Sequence, residues 1–320
     1  MAVVRRRISD TQFSMRSDLM HLNRMLLATF SVVAVTACGS DVVSREVAPA
    51  PFTSIRWVNG VADTVAMDYR IVDYPSNASE PNLAFRASSG NWRNLPPGAH
   101  HIKVFFTNTT AAGTNVSVVS QVFVDTTLTF DEGKKYTILH YGFAKAGATP
   151  KQRLVVIEDV PPTPAAGQIA LRAINAAPAL GTIDLYAIPA AATGGATTGT
   201  ATFPALAPGA VAPWVPLSSV ATGSYRVAAT APASTAALAD ALAPVGAAAV
   251  PSTTVAGVVS QPLDAIGGTQ QALSALTAVV FGPAVSYTLT TPTGTTVVVP
   301  AGATGSVTVL IDKHPPRISP

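Results

Sequence analysis

The sequence has little of what disulfide and metal sites are built from. It contains one cysteine and five histidines among 320 residues, which excludes an internal disulfide framework and any cysteine-rich zinc or iron–sulfur site. Charged residues make up only 12% of the chain, against about 25% in an average soluble domain. We therefore expect neither a cofactor nor a metal.

The residues that are abundant indicate β-structure. Apolar residues make up 48% of the chain, which is ample for packed cores and excludes a wholly disordered protein. Valine and threonine are plentiful, as are the turn-forming residues glycine and proline, and this composition is typical of sheet proteins. The length corresponds to about two domains at roughly 150 residues each.

The most specific signal lies near the start of the chain, where Arg24 precedes an apolar run from Met25 to Val35. The run is shorter than the roughly 18 to 20 residues of a membrane-spanning helix and is typical of a secretory signal peptide. It ends in the tetrapeptide Val-Thr-Ala-Cys, whose cysteine is Cys38, and this tetrapeptide resembles the bacterial lipobox. The resemblance implies cleavage after Ala37 and acylation of Cys38, palmitate being one such acyl group, so that several chains hold the protein on a membrane.

The residue after Cys38 bears on the membrane that receives the lipid. Gly39 stands there in place of aspartate, which resembles the pattern of lipoproteins exported to the outer membrane. We expect a lipid-anchored protein of a Gram-negative cell envelope that faces the periplasm or the cell surface. An apolar segment retained uncleaved in the inner membrane is the alternative, against which its short length argues.

The net positive charge of the precursor comes from the leader. Residues 1–37 contain five of the 20 basic residues and two of the 17 acidic residues, so the rest of the chain is formally neutral. A neutral chain lacks the basic surface that phosphate groups require. We therefore expect no nucleic-acid partner.

The rest of the chain contains an internal repeat. The residues that recur at a constant spacing of 116 are Arg56 and Arg172, Asn59 and Asn175, and Asp68 and Asp184. Towards the ends of the two copies, residues 156–162 resemble residues 310–316 at an offset of 154. We interpret the asparagines as strand ends closed by side-chain to backbone hydrogen bonds, and we expect arginine and aspartate to pair across neighbouring strands within each copy. A duplicated binding site is the alternative interpretation.

The repeat sets the expected organisation and fold. The segments are a leader (1–37), a tether (38–51), a first β-sandwich (52–160), a proline-rich linker (161–167), a second β-sandwich with Ala-, Thr- and Gly-rich insertions (168–314) and a tail (315–320). Short runs rich in Val, Ile, Thr, Phe and Tyr predict about seven strands in the first copy. This pattern favours an all-β fold of two tandem immunoglobulin-like antiparallel β-sandwiches, with a β-barrel as the alternative. Residues 234–243 are an exception, because their composition allows a helix.

The repeated pattern also resembles a known family. It consists of an Arg-x-x-Asn strand end, an Ile-Asp or Met-Asp strand, and a turn like the Leu-Pro-Pro-Gly that ends at Gly98. This order resembles the bacterial family called domain of unknown function 4397. The resemblance covers most of residues 53–160 and, more loosely, 167–313, and it implies a two-copy, sandwich-forming envelope or secreted protein without a defined activity.

The sequence contains no linear motif for catalysis. There is no Gly-x-Ser-x-Gly pentapeptide for a hydrolase nucleophile. His100 and His101 are adjacent on an expected strand, so their side chains point to opposite faces and cannot share a metal ion. We expect a non-enzymatic binding or structural module whose partner is an envelope protein or a surface polymer. The alternative is an envelope hydrolase or carbohydrate-active enzyme with a pair of carboxylates, for which Asp68 and Glu158 are one combination.

Overall fold

A computed structural model describes residues 50–74, 78–107, 119–255, 258–290 and 296–317. Cys38, Ala37 and all but the end of the tether lie outside these residues. Within them, twenty strands are joined by loops and by one single-turn 3₁₀ helix, Pro178–Leu180. This described part of the chain holds no helix of the length and apolarity that crossing a membrane would take.

The first sandwich contains eight strands in two sheets. The strands are β1 (Thr53–Val61), β2 (Met67–Ile71), β3 (Glu80–Leu83), β4 (Arg93–Leu95), β5 (Gly98–Thr107), β6 (Val119–Phe130), β7 (Lys135–Gly142) and β8 (Arg153–Glu158). One sheet has the order β4-β1-β7-β8 and the other the order β3-β2-β5-β6. We call these the inner and the outer sheet of the first sandwich.

The second sandwich has the same plan with additional hairpins. Its strands are β9 (Gln168–Asn175), β10 (Ile183–Ala190), β11 (Phe203–Leu206), β12 (Val215–Ser218), β13 (Ser224–Thr230), β14 (Ala237–Leu242), β15 (Thr254–Val255), β16 (Val258–Val259), β17 (Ala275–Phe281), β18 (Tyr287–Thr290), β19 (Thr296–Val299) and β20 (Ser306–Lys313). The inner sheet has the order β12-β9-β17-β20 and the outer sheet the order β11-β10-β13-β14. Two further two-stranded hairpins, β15-β16 and β18-β19, belong to this sandwich.

The prediction of an all-β fold of sandwiches is confirmed, with one refinement of strand direction. Each inner sheet is mixed, because β1 pairs with β7 in parallel and β9 pairs with β17 in parallel. A parallel pair requires a crossover connection, and here the connection includes the four strands of the outer sheet and one edge strand of the inner sheet, β4 or β12. The other pairs in the four-stranded sheets are antiparallel.

The helix expected over residues 234–243 is wrong. This segment forms β14, the outer strand of a sheet, in register with β13. Ala239 and Ala243 point into the core of the second sandwich. The tertiary contact with β13 therefore outweighs the helical propensity of alanine, which is a weak bias of a fraction of a kcal/mol per residue.

The described residues form three apolar clusters, of which two lie inside the sandwiches and one lies between them. One lies between the two sheets of the first sandwich around Trp57, and a second lies between the two sheets of the second sandwich around Leu276. The third draws on both inner sheets, and its buried residues are Val58, Leu139, Tyr141 and Ile157 from the first sandwich and Ile174, Ala176, Val279, Phe281 and Leu310 from the second. The inner sheets therefore pack against each other, which explains why all nine residues of β1 are buried.

Candidate functional site

The repeated asparagines close equivalent corners of the two sandwiches. Asn59 accepts a hydrogen bond from the Val61 amide at 3.1 Å and donates one to the Leu83 carbonyl at 3.0 Å. In the second sandwich, Asn175 accepts a hydrogen bond from the Ala177 amide at 3.0 Å and donates one to the Leu206 carbonyl at 2.9 Å. Both side chains are fully buried, so their bonds satisfy backbone groups that would otherwise be costly to desolvate.

The repeated aspartates stabilise a strained residue in the neighbouring strand. Asp68 accepts the amide of Asn82 at 2.7 Å, and Asp184 accepts the amide of Ala205 at 2.8 Å. Asn82 and Ala205 have φ angles of 53° and 49°, the left-handed region that costs an L-residue roughly 1–2 kcal/mol. The expected pairing of these aspartates with the arginines of their own copies is therefore wrong, because each carboxylate has a backbone turn to hold.

The two repeated arginines instead pair with carboxylates of the opposite sandwich. Arg56 donates through Nη2 to Asp312 in the second sandwich, and Arg172 donates through Nη2 to Asp159 at the end of the first. Each arginine also lies near the carboxylate of its own sandwich, with distances of 3.8 Å from Arg56 to Asp159 and 3.7 Å from Arg172 to Asp312. These four side chains are at most 4% exposed. We call them the crossed cluster.

Threonine and tryptophan side chains complete the crossed cluster in the same way in both sandwiches. Arg56 Nε donates to Thr137 Oγ1 at 2.7 Å, and that hydroxyl donates to Asp159 at 2.6 Å. In the second sandwich, Arg172 Nε donates to Thr277 Oγ1 at 2.7 Å, and that hydroxyl donates to Asp312 at 2.5 Å. The Arg56 guanidinium lies 4.5 Å from the ring centre of Trp92, and that of Arg172 lies 4.7 Å from Trp214. Each arginine thus has a polar and an aromatic partner as well as a carboxylate.

The crossed cluster corrects the alignment of the two copies near their ends. The offset of 154 aligns Asp312 with Glu158, which lies on the surface and contacts Lys134 at 3.1 Å. In space Asp312 corresponds to Asp159, at an offset of 153. The strand registers give the same offset of 153, because Ile157 lies opposite Thr137 in the first sandwich and Leu310 lies opposite Thr277 in the second.

The crossed cluster contains two arginines and two aspartates, and burial lowers the pKa values of both arginines. Burial lowers the pKa of Arg56, and Asp312 opposes that effect. Burial also lowers the pKa of Arg172, to about 10, again against the opposing attraction of Asp312. The pKa of Arg172 still lies well above neutral pH, so this guanidinium stays charged beside the buried carboxylates. Such clusters fix which surfaces pair more than they add stability.

The two carboxylates of the crossed cluster are closed to solvent. Asp159 and Asp312 converge, but their side chains have no exposed surface and accept from arginine and threonine. Asp68 and Glu158 contact different groups, since Asp68 accepts from the Asn82 amide and Glu158 contacts Lys134. In the ranges that the structure describes, no three His, Cys, Asp or Glu residues form a group that could hold a metal ion.

The histidines are held by hydrogen bonds rather than gathered into a site. His100 points inward and contacts Asp73 and the Pro96 carbonyl, at 2.7 and 2.8 Å. His101 points outward to Asp125. The two rings therefore lie on opposite faces of β5.

His140 is fully buried and lies between Tyr69 and Gln152, each at 3.0 Å. The Gln152 oxygen can only accept, so Nε2 carries the proton and Nδ1 accepts from the Tyr69 hydroxyl. Burial lowers the pKa of His140 to about 3, which keeps the ring neutral.

A cleft of about 600 Å³ opens beside the crossed cluster, between the two sandwiches. One wall is Thr308–His314 of β20 and the residue after it, and the facing wall is the loop around Trp92 together with Lys135. Sequence reasoning missed this cleft, because its walls come from segments more than 170 residues apart.

One comparison with known families found a match over part of the chain. A search of curated proteins found no match. The model of the family described as "Domain of unknown function (DUF4397)" matches residues 53–186, which span the first sandwich, the linker and the start of the second. This match supports membership of the DUF4397 family for that part of the chain.

Proposed function

We propose that this chain is a lipid-anchored protein of the bacterial cell envelope, held in the membrane by acyl chains on Cys38. The observation that carries the proposal is the tetrapeptide Val-Thr-Ala-Cys directly after a short apolar run, with the only cysteine of the chain at its end. Two or more acyl chains make membrane attachment stable, whereas one binds reversibly. Gly39 after the cysteine favours the outer membrane.

The anchor is tested with the full-length protein and its Cys38→Ser variant, both expressed in a Gram-negative host. We expect the wild-type protein in the outer-membrane fraction, with an intact mass that begins at Cys38 and includes the acyl groups. The variant should lose both the acyl mass and the membrane location. A soluble wild-type protein without acyl mass, or one that keeps residues 1–37, contradicts the proposal.

We further propose that the two sandwiches act as a non-enzymatic binding or structural module. The sealing of Asp159 and Asp312 inside the crossed cluster supports this role, because these two carboxylates converge but have no exposed side-chain surface. No observation favours the carboxylate-pair hydrolase over it. An envelope protein or a surface polymer remains the proposed partner.

We infer as well that the second sandwich is a second copy of the DUF4397 module. The support is geometric, because equivalent hydrogen bonds recur at Asn59 and Asn175 and at Asp68 and Asp184. The hairpins β15-β16 and β18-β19 account for part of its greater length. A search with the sequence of the second sandwich alone, stripped of these hairpins, should match the family and fails if the likeness is only architectural.

A further inference from the structure

The cleft between the sandwiches runs along the edge of one strand. Seven consecutive residues, Thr308 to His314, line it. Successive side chains of a strand point to opposite faces, so a cleft that touches every one of them follows the strand edge and reaches its backbone. Among the strands that the structure describes, β20 is the outermost of its sheet and pairs only with β17.

The outer edge of β20 carries hydrogen-bonding groups without a backbone partner. In an antiparallel pair, every second residue directs its N–H and C=O away from the neighbouring strand. Among the described residues, the one backbone bond at this end of the sheet runs from the Gly305 amide to the Leu238 carbonyl, just before β20 begins. β14 lies close to the start of β20, so the part of the edge that is open to a partner is the part that lines the cleft. From Thr308 to Lys313 that edge offers a row of donors and acceptors, the chemistry that recognises another extended backbone.

The facing wall is aromatic and positively charged. Trp92 is half-buried there, and the Lys135 ammonium lies 5.4 Å from the ring centre. In the described part of the chain, Lys135 has no carboxylate within 4 Å, and Lys313 lines the same cleft. Asp312 is the acidic residue in the lining, and Arg56 and Arg172 neutralise it. A ligand with a negative charge thus finds cations without a competing anion.

We propose that this cleft binds an extended, acidic segment of a partner protein, which adds to the inner sheet of the second sandwich as a strand beside β20. The backbone of the segment pairs with the free edge, and alternate side chains reach Trp92 and Lys135, which supply the preference for apolar and acidic residues. The six residues from Thr308 to Lys313 span roughly 20 Å of edge. This inference rests on the binding role proposed above and names its partner class, but it does not depend on the lipid anchor.

The test uses the full-length protein in detergent and labelled eight-residue peptides, with fluorescence anisotropy as the readout. The parent peptide alternates threonine and valine and carries aspartate at two of the threonine positions. Two further peptides carry N-methyl groups on alternate amides, each blocking one edge of the strand. We expect the parent to bind and only one of the methylated peptides to bind about tenfold or more weakly, because a single edge pairs with β20.

The charge preference is tested with Lys135→Glu and a parent peptide in which lysine replaces aspartate. We expect Lys135→Glu to bind the aspartate peptide more weakly and the lysine peptide more tightly than the wild-type protein does. The control, Lys151→Glu, makes the same change beyond the far end of β7 and should leave both affinities unchanged. Equal binding by both methylated peptides, or no binding of the parent at millimolar concentration, overturns the inference. Membrane fractionation of the Cys38→Ser variant is a separate readout, so failure of the anchor and failure of the cleft are distinguishable.

Discussion

Arg56 lies in the interior with its charge matched by Asp312 and Asp159, and this environment sets the cost of changing any member of the crossed cluster. Removing one partner leaves an opposite charge buried and unpaired, which typically costs about 3–5 kcal/mol. Replacing the whole cluster with apolar residues of similar volume has a much smaller effect. The cluster is therefore sensitive to single changes and tolerant of concerted ones.

A double-mutant cycle distinguishes the partner of Arg56. We expect Arg56→Ala and Asp312→Ala to be strongly coupled, by about 1–3 kcal/mol in the free energy of unfolding. Arg56→Ala and Asp68→Ala should be additive within about 0.5 kcal/mol, because the two side chains have separate partners. Urea denaturation of the wild-type protein, the three single variants and the two double variants measures both values. A coupling to Asp68 as large as that to Asp312 would favour pairing within one copy.

His140 should make the stability of the protein fall in mild acid. Burial lowers its pKa to about 3 in the folded state, against about 6.5 in an unfolded chain. Between these values the unfolded state binds more protons, so stability decreases as the pH falls through 6.5 towards 3. The expected loss is on the order of 2 kcal/mol between pH 7 and pH 5. Denaturation at the two pH values measures it.

The control for this pH effect is His140→Gln, which has no titrating ring. The variant should be less stable at pH 7, because it disturbs the contacts with Tyr69 and Gln152. Its stability should then change less between pH 7 and pH 5 than that of the wild-type protein. If variant and wild type lose the same amount, His140 does not carry the acid sensitivity.

At the scale of strands, much of the fold follows from sequence pattern and some of it does not. Runs of β-branched and aromatic residues bounded by glycine and proline mark β1, β5 and β7 because local propensity and burial agree there. Alanine-rich β14 gave the opposite signal, because its strand state depends on β13 and not on its own residues. Strand direction was also hidden, since composition does not distinguish the parallel pair of β1 and β7 from an antiparallel one.

The apolar cluster between the inner sheets should contribute to the free energy of unfolding. Leu139 is fully buried there, with partners from both sandwiches. We expect Leu139→Ala to lower the free energy of unfolding by about 2–5 kcal/mol, through lost burial and the cavity left behind. Leu242→Ala, the same truncation at a side chain that is 38% exposed on β14, should cost less than about 1 kcal/mol. Equal losses would mean that the inner sheets do not pack as described.

At the scale of the whole molecule, the candidate sites depend on contacts that span most of the chain. The repeat identifies Arg56 and Arg172, but it does not reveal that each pairs with a carboxylate of the other sandwich. That pairing depends on the packing of the two inner sheets against each other. The cleft beside β20 was hidden for the same reason, since Trp92 and Lys135 meet β20 only in the folded chain. Cys38 is the opposite case, because its proposed role rests on a local motif that needs no tertiary structure.

The crossed cluster and the shared apolar cluster lead to one central claim, that the two sandwiches fold and unfold as a single unit. Arg56 and Arg172 each find their closest carboxylate in the other sandwich, so loss of one sandwich leaves charges of the other buried without partners or newly exposed. A cooperative unit of this kind has one transition rather than two.

The most direct measurement is pulsed hydrogen exchange with mass spectrometry across a urea series, which follows each sandwich separately in the intact protein. Peptides from β5 and β13, in the two outer sheets, should lose protection at the same urea concentration. Arg172→Ala should lower both midpoints by the same amount, although it lies in the second sandwich. Separate midpoints for β5 and β13, or an effect of Arg172→Ala on β13 alone, would contradict the account.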